Sequence, residues 1–128
     1  MRKIGLVLVI ALLIGLFSAT RTGVLPAPPK GVWEVSDSKK YARLQVLAMA
    51  STQWKCLDKL WTKESNWRSN AYNKIKVMGR NAGGIPQVLG LNPDTHPRYQ
   101  IDRGLYYIVN RYGTPCNAWK FHKRNGWY

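Results

Sequence analysis

One of the six acidic side chains in this 128-residue chain is placed unlike the others. Glu64 lies seven residues after Leu57, four after Leu60 and three after Trp61. On a helix those steps put it on the apolar stripe, at the C-terminal end. A carboxylate there is disfavoured by burial and by the negative pole of the helix dipole, and both raise its pKa. A carboxylic acid still protonated near neutral pH is suited to general-acid catalysis. Fraying of the helix end, or pairing with Lys63 or Arg68, would instead make Glu64 an ordinary surface charge.

The other acids have structural explanations. Asp58 falls off the stripe and reads as a surface helix charge, and Asp37 reads as a helix cap. Asp94 sits in a turn and Asp102 near a helix start, where local hydrogen bonds and the dipole favour them. No second carboxylate stands at a fixed separation from Glu64, which weighs against a two-carboxylate glycosidase. His96 and His122 have no Ser or Cys at a recognisable nucleophile elbow. Zinc spacings and a phosphate loop are lacking, so no metal or cofactor is expected. The Gly83-Gly84 pair is read as a close approach of backbone to backbone or to a ligand.

Four helices are needed to position Glu64. Ser36, Asp37 and Ser38 offer caps for a helix over Lys39 to Ala50, with Tyr41, Leu44, Leu47 and Ala48 at helical steps. Ser51 and Thr52 can cap the Glu64 helix, from Gln53 to about Glu64, with Trp54, Leu57, Leu60 and Trp61 apolar. Asn66 to Asn81 reads as loop, with Ile75 to Met78 as its one candidate short strand. A third helix is expected over Tyr99 to Tyr112, ended by Gly113. Thr114 and Pro115 then start a short last helix as cap and first turn. Strand signals are sparse, so the class is mainly α, a small single domain over residues 35–128 with little or no sheet.

The ends of the chain and its charge bear on compartment. Arg2 and Lys3 precede 14 apolar residues, Ile4 to Phe17, and no acid precedes Glu34. Residues 1–20 therefore read as a signal peptide or an N-terminal membrane anchor, and the protein as exported. The Phe17-Ser18-Ala19 cleavage signal is poor, and no Cys follows the apolar run to carry a lipid. Residues 21–34, with Pro26, Pro28 and Pro29, read as a linker. In an oxidising compartment Cys56 and Cys116, 60 residues apart, are expected to form a bridge; in the cytosol they would be buried thiols. Twenty Lys and Arg against six acids give a net charge of +14. That draws the protein towards polyanions. The cations are dispersed, so a specific nucleic-acid face is not expected.

With these residues in view, the chain from about Gln53 to Tyr128 resembles the soluble lytic transglycosylase domain, a lysozyme-like peptidoglycan-cleaving family. Trp54 to Ser65, followed by Asn66-Trp67 and Asn70-Ala71-Tyr72-Asn73, is similar to the family's Glu-Ser motif with its downstream asparagines. This is the form found in exported actinobacterial and phage members. Gly84-Ile85-Pro86-Gln87 is similar to the Gly-Leu-Met-Gln element. Gly104-Leu105-Tyr106-Tyr107-Ile108, Arg111 to Cys116, Ala118-Trp119 and Gly126-Trp127-Tyr128 follow in the family's order.

The resemblance implies a lysozyme-like fold and Glu64 as general acid/base. It implies that Ser65 bonds near the substrate or orders Glu64, and that Gln87 contacts the glycan. Tyr107 matches a largely structural tyrosine, and Trp119 would stack on a sugar or pack. Gly83 departs from the usual aromatic or Met and would open that wall of the cleft. The implied activity is cleavage of the β-1,4 bond between N-acetylmuramic acid and N-acetylglucosamine, leaving a 1,6-anhydro end. Peptidoglycan strands and anionic wall polymers are the expected partners, with a membrane reached only through the N-terminal segment. A hydrolytic muramidase and a non-catalytic basic wall-binding protein are the rival readings.

Overall fold

Glu34 and Asp37 open the first helix. The Glu34 amide donates to the Asp37 carboxylate at 2.9 Å, tying the chain entry to the first turn. Helix α1 then runs Val35–Val46. The computed structural model describes residues 32–128. The signal or anchor expected at 1–20, and the linker up to residue 31, lie outside them. Trp33 belongs to the folded unit, packing edge-on against Tyr41 and His96.

Helix α1 starts one turn before the expected Lys39, so Ser36 to Ser38 lie inside it rather than capping it, and it turns a different face inward. It buries Ser38, Ala42 and Val46, while Leu44 and Leu47 are exposed. Small side chains at steps of four let the helix lie close on the core. Leu47 and Ala48 fall beyond its last turn. Helix α2 covers Ser51–Ser65 and buries Leu57, Leu60 and Trp61 completely, as the apolar stripe requires. Each such side chain contributes roughly 1.5–3 kcal/mol of burial. Asn66 ends α2 in the left-handed conformation (φ 53°), which Asn tolerates. Trp67 follows with φ 60°. The two reverse the chain and drop the Trp67 indole into the core against Trp61, where it donates to Asp58 at 2.9 Å. Asp58, expected as a free surface charge, also pairs with Lys39 at 3.1 Å.

An antiparallel three-stranded sheet begins within the Asn66–Asn81 segment read as loop, the candidate strand at Ile75 to Met78 overlapping its first strand, where little or no sheet was expected. Its strands are β1 (Tyr72–Val77), β2 (Arg80–Gly83) and β3 (Val88–Leu89), in the order β1-β2-β3. Val77 faces Arg80, leaving Met78-Gly79 as a two-residue turn with φ of 54° and 77°. Positive φ at both positions is the turn geometry that matches strand twist. Every residue of β1 is exposed, so the strand has no buried face to give it a full apolar alternation in the sequence. Gly83 is required where it stands, because a Cβ would collide with the Leu91 carbonyl oxygen. Its side faces Leu91 rather than a cleft, so it opens no wall.

Helices α3 (Pro97–Tyr112) and α4 (Pro115–Asn125) complete a mainly α fold. His96 caps α3 by accepting from the Arg98 amide, and Gly113 ends it. Thr114 caps α4 with Pro115 in the first turn, as expected. Cys56 and Cys116 are bridged, joining α2 to α4 with their Cα atoms 4.9 Å apart. Among the described residues no helix is long and apolar enough to cross a membrane.

Candidate functional site

The end of α2 brings Glu64 to the wall of a cleft of about 500 Å³. Asn73 and Val77 of β1, Ala82 of β2 and Leu89 of β3 form one side. Gln87 and the chain end, Gly126 to Tyr128, complete it. The hairpin therefore lines the cleft, and Glu64 is the only acid of its lining. Among the described residues no three His, Cys, Asp or Glu side chains cluster as a metal site.

Glu64 is 17% exposed, and burial pushes its carboxyl up to about 7. Its Oε1 lies 2.9 Å from Nε2 of His122 on α4. Burial, reinforced by the nearby Lys63 charge, holds His122 below its ordinary value. Burial thus favours the neutral form of each group, a protonated carboxyl and an unprotonated imidazole. One proton between them satisfies both groups without leaving a net charge in a desolvated place. The His122 ring is stacked on Trp119, 5.7 Å between centres and 17° between planes.

Tyr128 closes the wall behind this pair. Its hydroxyl accepts from the Trp61 indole at 3.0 Å and donates to the Pro86 carbonyl at 2.6 Å. Burial pushes its phenol well above the usual range. Tyr107 and Tyr112 pack edge-on and tilted against it, with centres 5.5 and 6.1 Å away. Tyr112 is pushed up to about 12, chiefly by burial, and among the described residues its hydroxyl has no hydrogen-bond partner.

Of the residues singled out in the sequence, Glu64 and Gln87 meet at the cleft. Gln87 has φ 53°, and its amide donates to the Gly84 carbonyl at 2.9 Å and to Ala71 at 3.3 Å. Ser65 is buried, and its hydroxyl donates to the Ile85 carbonyl at 2.7 Å. It thereby ties the Glu64 helix to the Gly84–Gln87 turn from behind the cleft. Tyr107 packs behind Tyr128 and accepts from Arg111 at 2.8 Å, and Trp119 stacks on His122. None of these three lines the cleft.

Two residues escaped the sequence reading. His122 has a weak local signal, the three-residue step from Trp119 that puts both on one face of α4. Its proximity to Glu64, 58 positions away, has none. Gln100 is fully buried in α3. Its side-chain oxygen accepts from the Ile85 amide at 2.9 Å, while its nitrogen donates to the carbonyls of Ser69, Pro93 and Thr95. It pins two loops, one at Ser69 and one at Pro93 and Thr95, to the Gly84–Gln87 turn. In comparisons with known proteins the chain matches no family model, no curated protein and no solved structure.

Proposed function

We propose that the protein is a peptidoglycan lytic transglycosylase with a lysozyme-like fold. The observation that carries this reading is Glu64, a carboxyl raised to about 7 at the wall of a cleft whose lining holds no second acid. In the proposed reaction protonated Glu64 donates its proton to the glycosidic oxygen. The C1–O bond breaks, and N-acetylglucosamine leaves with a free 4-hydroxyl. The resulting oxocarbenium-like muramic sugar needs a nucleophile. With no partner carboxylate to form a glycosyl ester or activate water, the sugar's own 6-hydroxyl attacks C1. It is already bound and so has the advantage of an intramolecular reaction. Glu64, now a carboxylate, accepts that hydroxyl's proton, and the acid is restored without consuming water.

The chain's charge of +14 supports a target rich in anionic polymers, and the apolar start after Arg2 and Lys3 supports an exported location. Mass spectrometry of muropeptides released from purified wall in ¹⁸O-labelled water tests the reading. Unlabelled 1,6-anhydro-muramic ends are expected. Labelled reducing muramic ends would make the protein a muramidase, and no release of muropeptides would overturn the enzymatic reading.

A further inference from the structure

A second depression adjoins strand β3. It has a volume of about 360 Å³. Leu89 lines both it and the Glu64 cleft, so the two share a wall. Arg80 reaches it from β2 and Arg103 from α3, with Tyr99 beside them. No acid lines it. Among the described residues the ion pairs are Lys39–Asp58 and His122–Glu64, so neither arginine is neutralised by a carboxylate. Asp102, next to Arg103 in the chain, accepts from the Tyr41 hydroxyl at 2.7 Å instead. From Ser65 to Pro93 the chain carries four cations and no acid.

Both arginines are exposed at this surface, and each is positioned by a neighbour. A Cβ at Gly90 would lie 3.5 Å from Cδ of Arg80, so the Arg80 stem crosses the bare backbone there. The Arg103 guanidinium lies 5.7 Å from the centre of the Tyr106 ring. Two guanidinium forks in one concave site, without a counter-charge, are built for an oxyanion.

We propose that Arg80 and Arg103 form an anion pocket that receives a carboxylate or phosphate group carried as a substituent on the glycan bound in the Glu64 cleft. The shared Leu89 wall favours an anion attached to the same strand over a separate molecule. Its chemistry is that of an oxyanion on a side branch, supplied by a peptide carboxylate or by a phosphodiester. The substrate named here rests on the glycan reading of the cleft; the anion pocket itself does not.

The test compares wild type with an Arg80→Gln/Arg103→Gln double variant on three wall preparations. One keeps its peptides but lacks phosphate polymers, one keeps phosphate polymers but lacks peptides, and one lacks both. The variant is expected to lose about tenfold or more in cleavage of one charged preparation, the scale of a charge-assisted hydrogen bond. It should cut the stripped glycan as wild type does. Which charged preparation suffers identifies the source of the anion. Equal losses on all three preparations, or no loss on any, would overturn the proposal.

A second measurement is independent of catalysis. Arginine Nε–H resonances of the full chain, assigned through Arg80→Lys and Arg103→Lys, are followed while inorganic phosphate or N-acetylglutamate is added. Saturable shifts at Arg80 and Arg103 are expected, and their absence overturns the pocket. If those shifts appear while wild type cuts no glycan, the pocket stands and the cleft reading fails.

Discussion

Glu64 Oε1 and His122 Nε2 lie 2.9 Å apart, joining the end of α2 to the last turn of α4. Both side chains are largely buried, at 17% and 14% exposure. Burial moves their titrations in opposite directions, the acid up and the base down. The neutral form of each is therefore favoured. For Glu64 that form is the one able to donate a proton. His122 touches the reacting acid rather than the cleft, so it acts as a positioning residue that restricts the rotation of Glu64.

Replacing Glu64 with Gln keeps the shape of the side chain and removes the proton. Activity on purified wall is expected to fall at least about a hundredfold, the usual scale for loss of an acid/base. Stability should move the other way. A carboxyl raised from 4.5 to about 7 by folding adds stability that is fully present below 4.5 and lost as pH rises through 7. That loss amounts to about 3 kcal/mol, and Gln does not suffer it. Denaturant unfolding should show Glu64→Gln gaining on wild type between pH 5 and pH 8. A well-folded variant with near-normal turnover would refute the catalytic assignment.

The same proton governs the pH profile. Activity that starts with protonated Glu64 is expected to decline above about pH 7. Protonation of His122 puts a cation against the acid and favours its carboxylate form, so activity should also decline on the acid side. Lys63 adds to that positive field, and Tyr112 and Tyr128 remain neutral throughout this range. In His122→Gln the acid limb should disappear while the alkaline limb remains. Profiles of kcat/KM for both proteins check this. An unchanged acid limb in the variant would remove His122 from the account.

The Cys56–Cys116 bridge closes a loop of 60 residues between α2 and α4. Chain entropy assigns such a loop roughly 4 kcal/mol. That is a large share of the total stability of a small domain. A Cys56→Ser/Cys116→Ser variant is expected to unfold at far lower denaturant than wild type. An equal midpoint for the two would show that the bridge adds nothing.

Gln100→Leu removes an acceptor from the Ile85 amide and a donor from three carbonyls in one substitution. Buried groups left unpaired cost about 1–3 kcal/mol each, so a loss of at least about 3 kcal/mol is expected. The Gly84–Gln87 turn loses its anchor as well, so amide exchange there should accelerate. Chemical denaturation and hydrogen exchange measure the two effects.

The helices were largely legible in the sequence because their signals are local. Leu57, Leu60 and Trp61 recur at helical steps, and Thr114-Pro115 and Gly113 are cap chemistry that acts within one turn. Helix α1 was misplaced because two apolar patterns overlap there. Only packing selects Ala42 and Val46 over Leu44 and Leu47. Of the sheet, the sequence marked only the Ile75 to Met78 stretch that overlaps β1; β1 buries nothing, and what holds the sheet is backbone pairing across the Met78-Gly79 turn.

The same division runs through the site. Sequence alone placed Glu64 on an apolar stripe at a helix end, because its distance from that stripe is counted in single turns. It also set the charge of +14 and provided the two cysteines that the fold joins. Tertiary structure decided that His122 meets Glu64, that Ser65 turns to Ile85, and that Gln100 pins the Gly84–Gln87 turn. Each of these depends on contacts between elements 15 to 58 residues apart. Such contacts are set by how whole helices pack. A polar side chain gives no sign in its own neighbourhood of which distant backbone or ring it will satisfy.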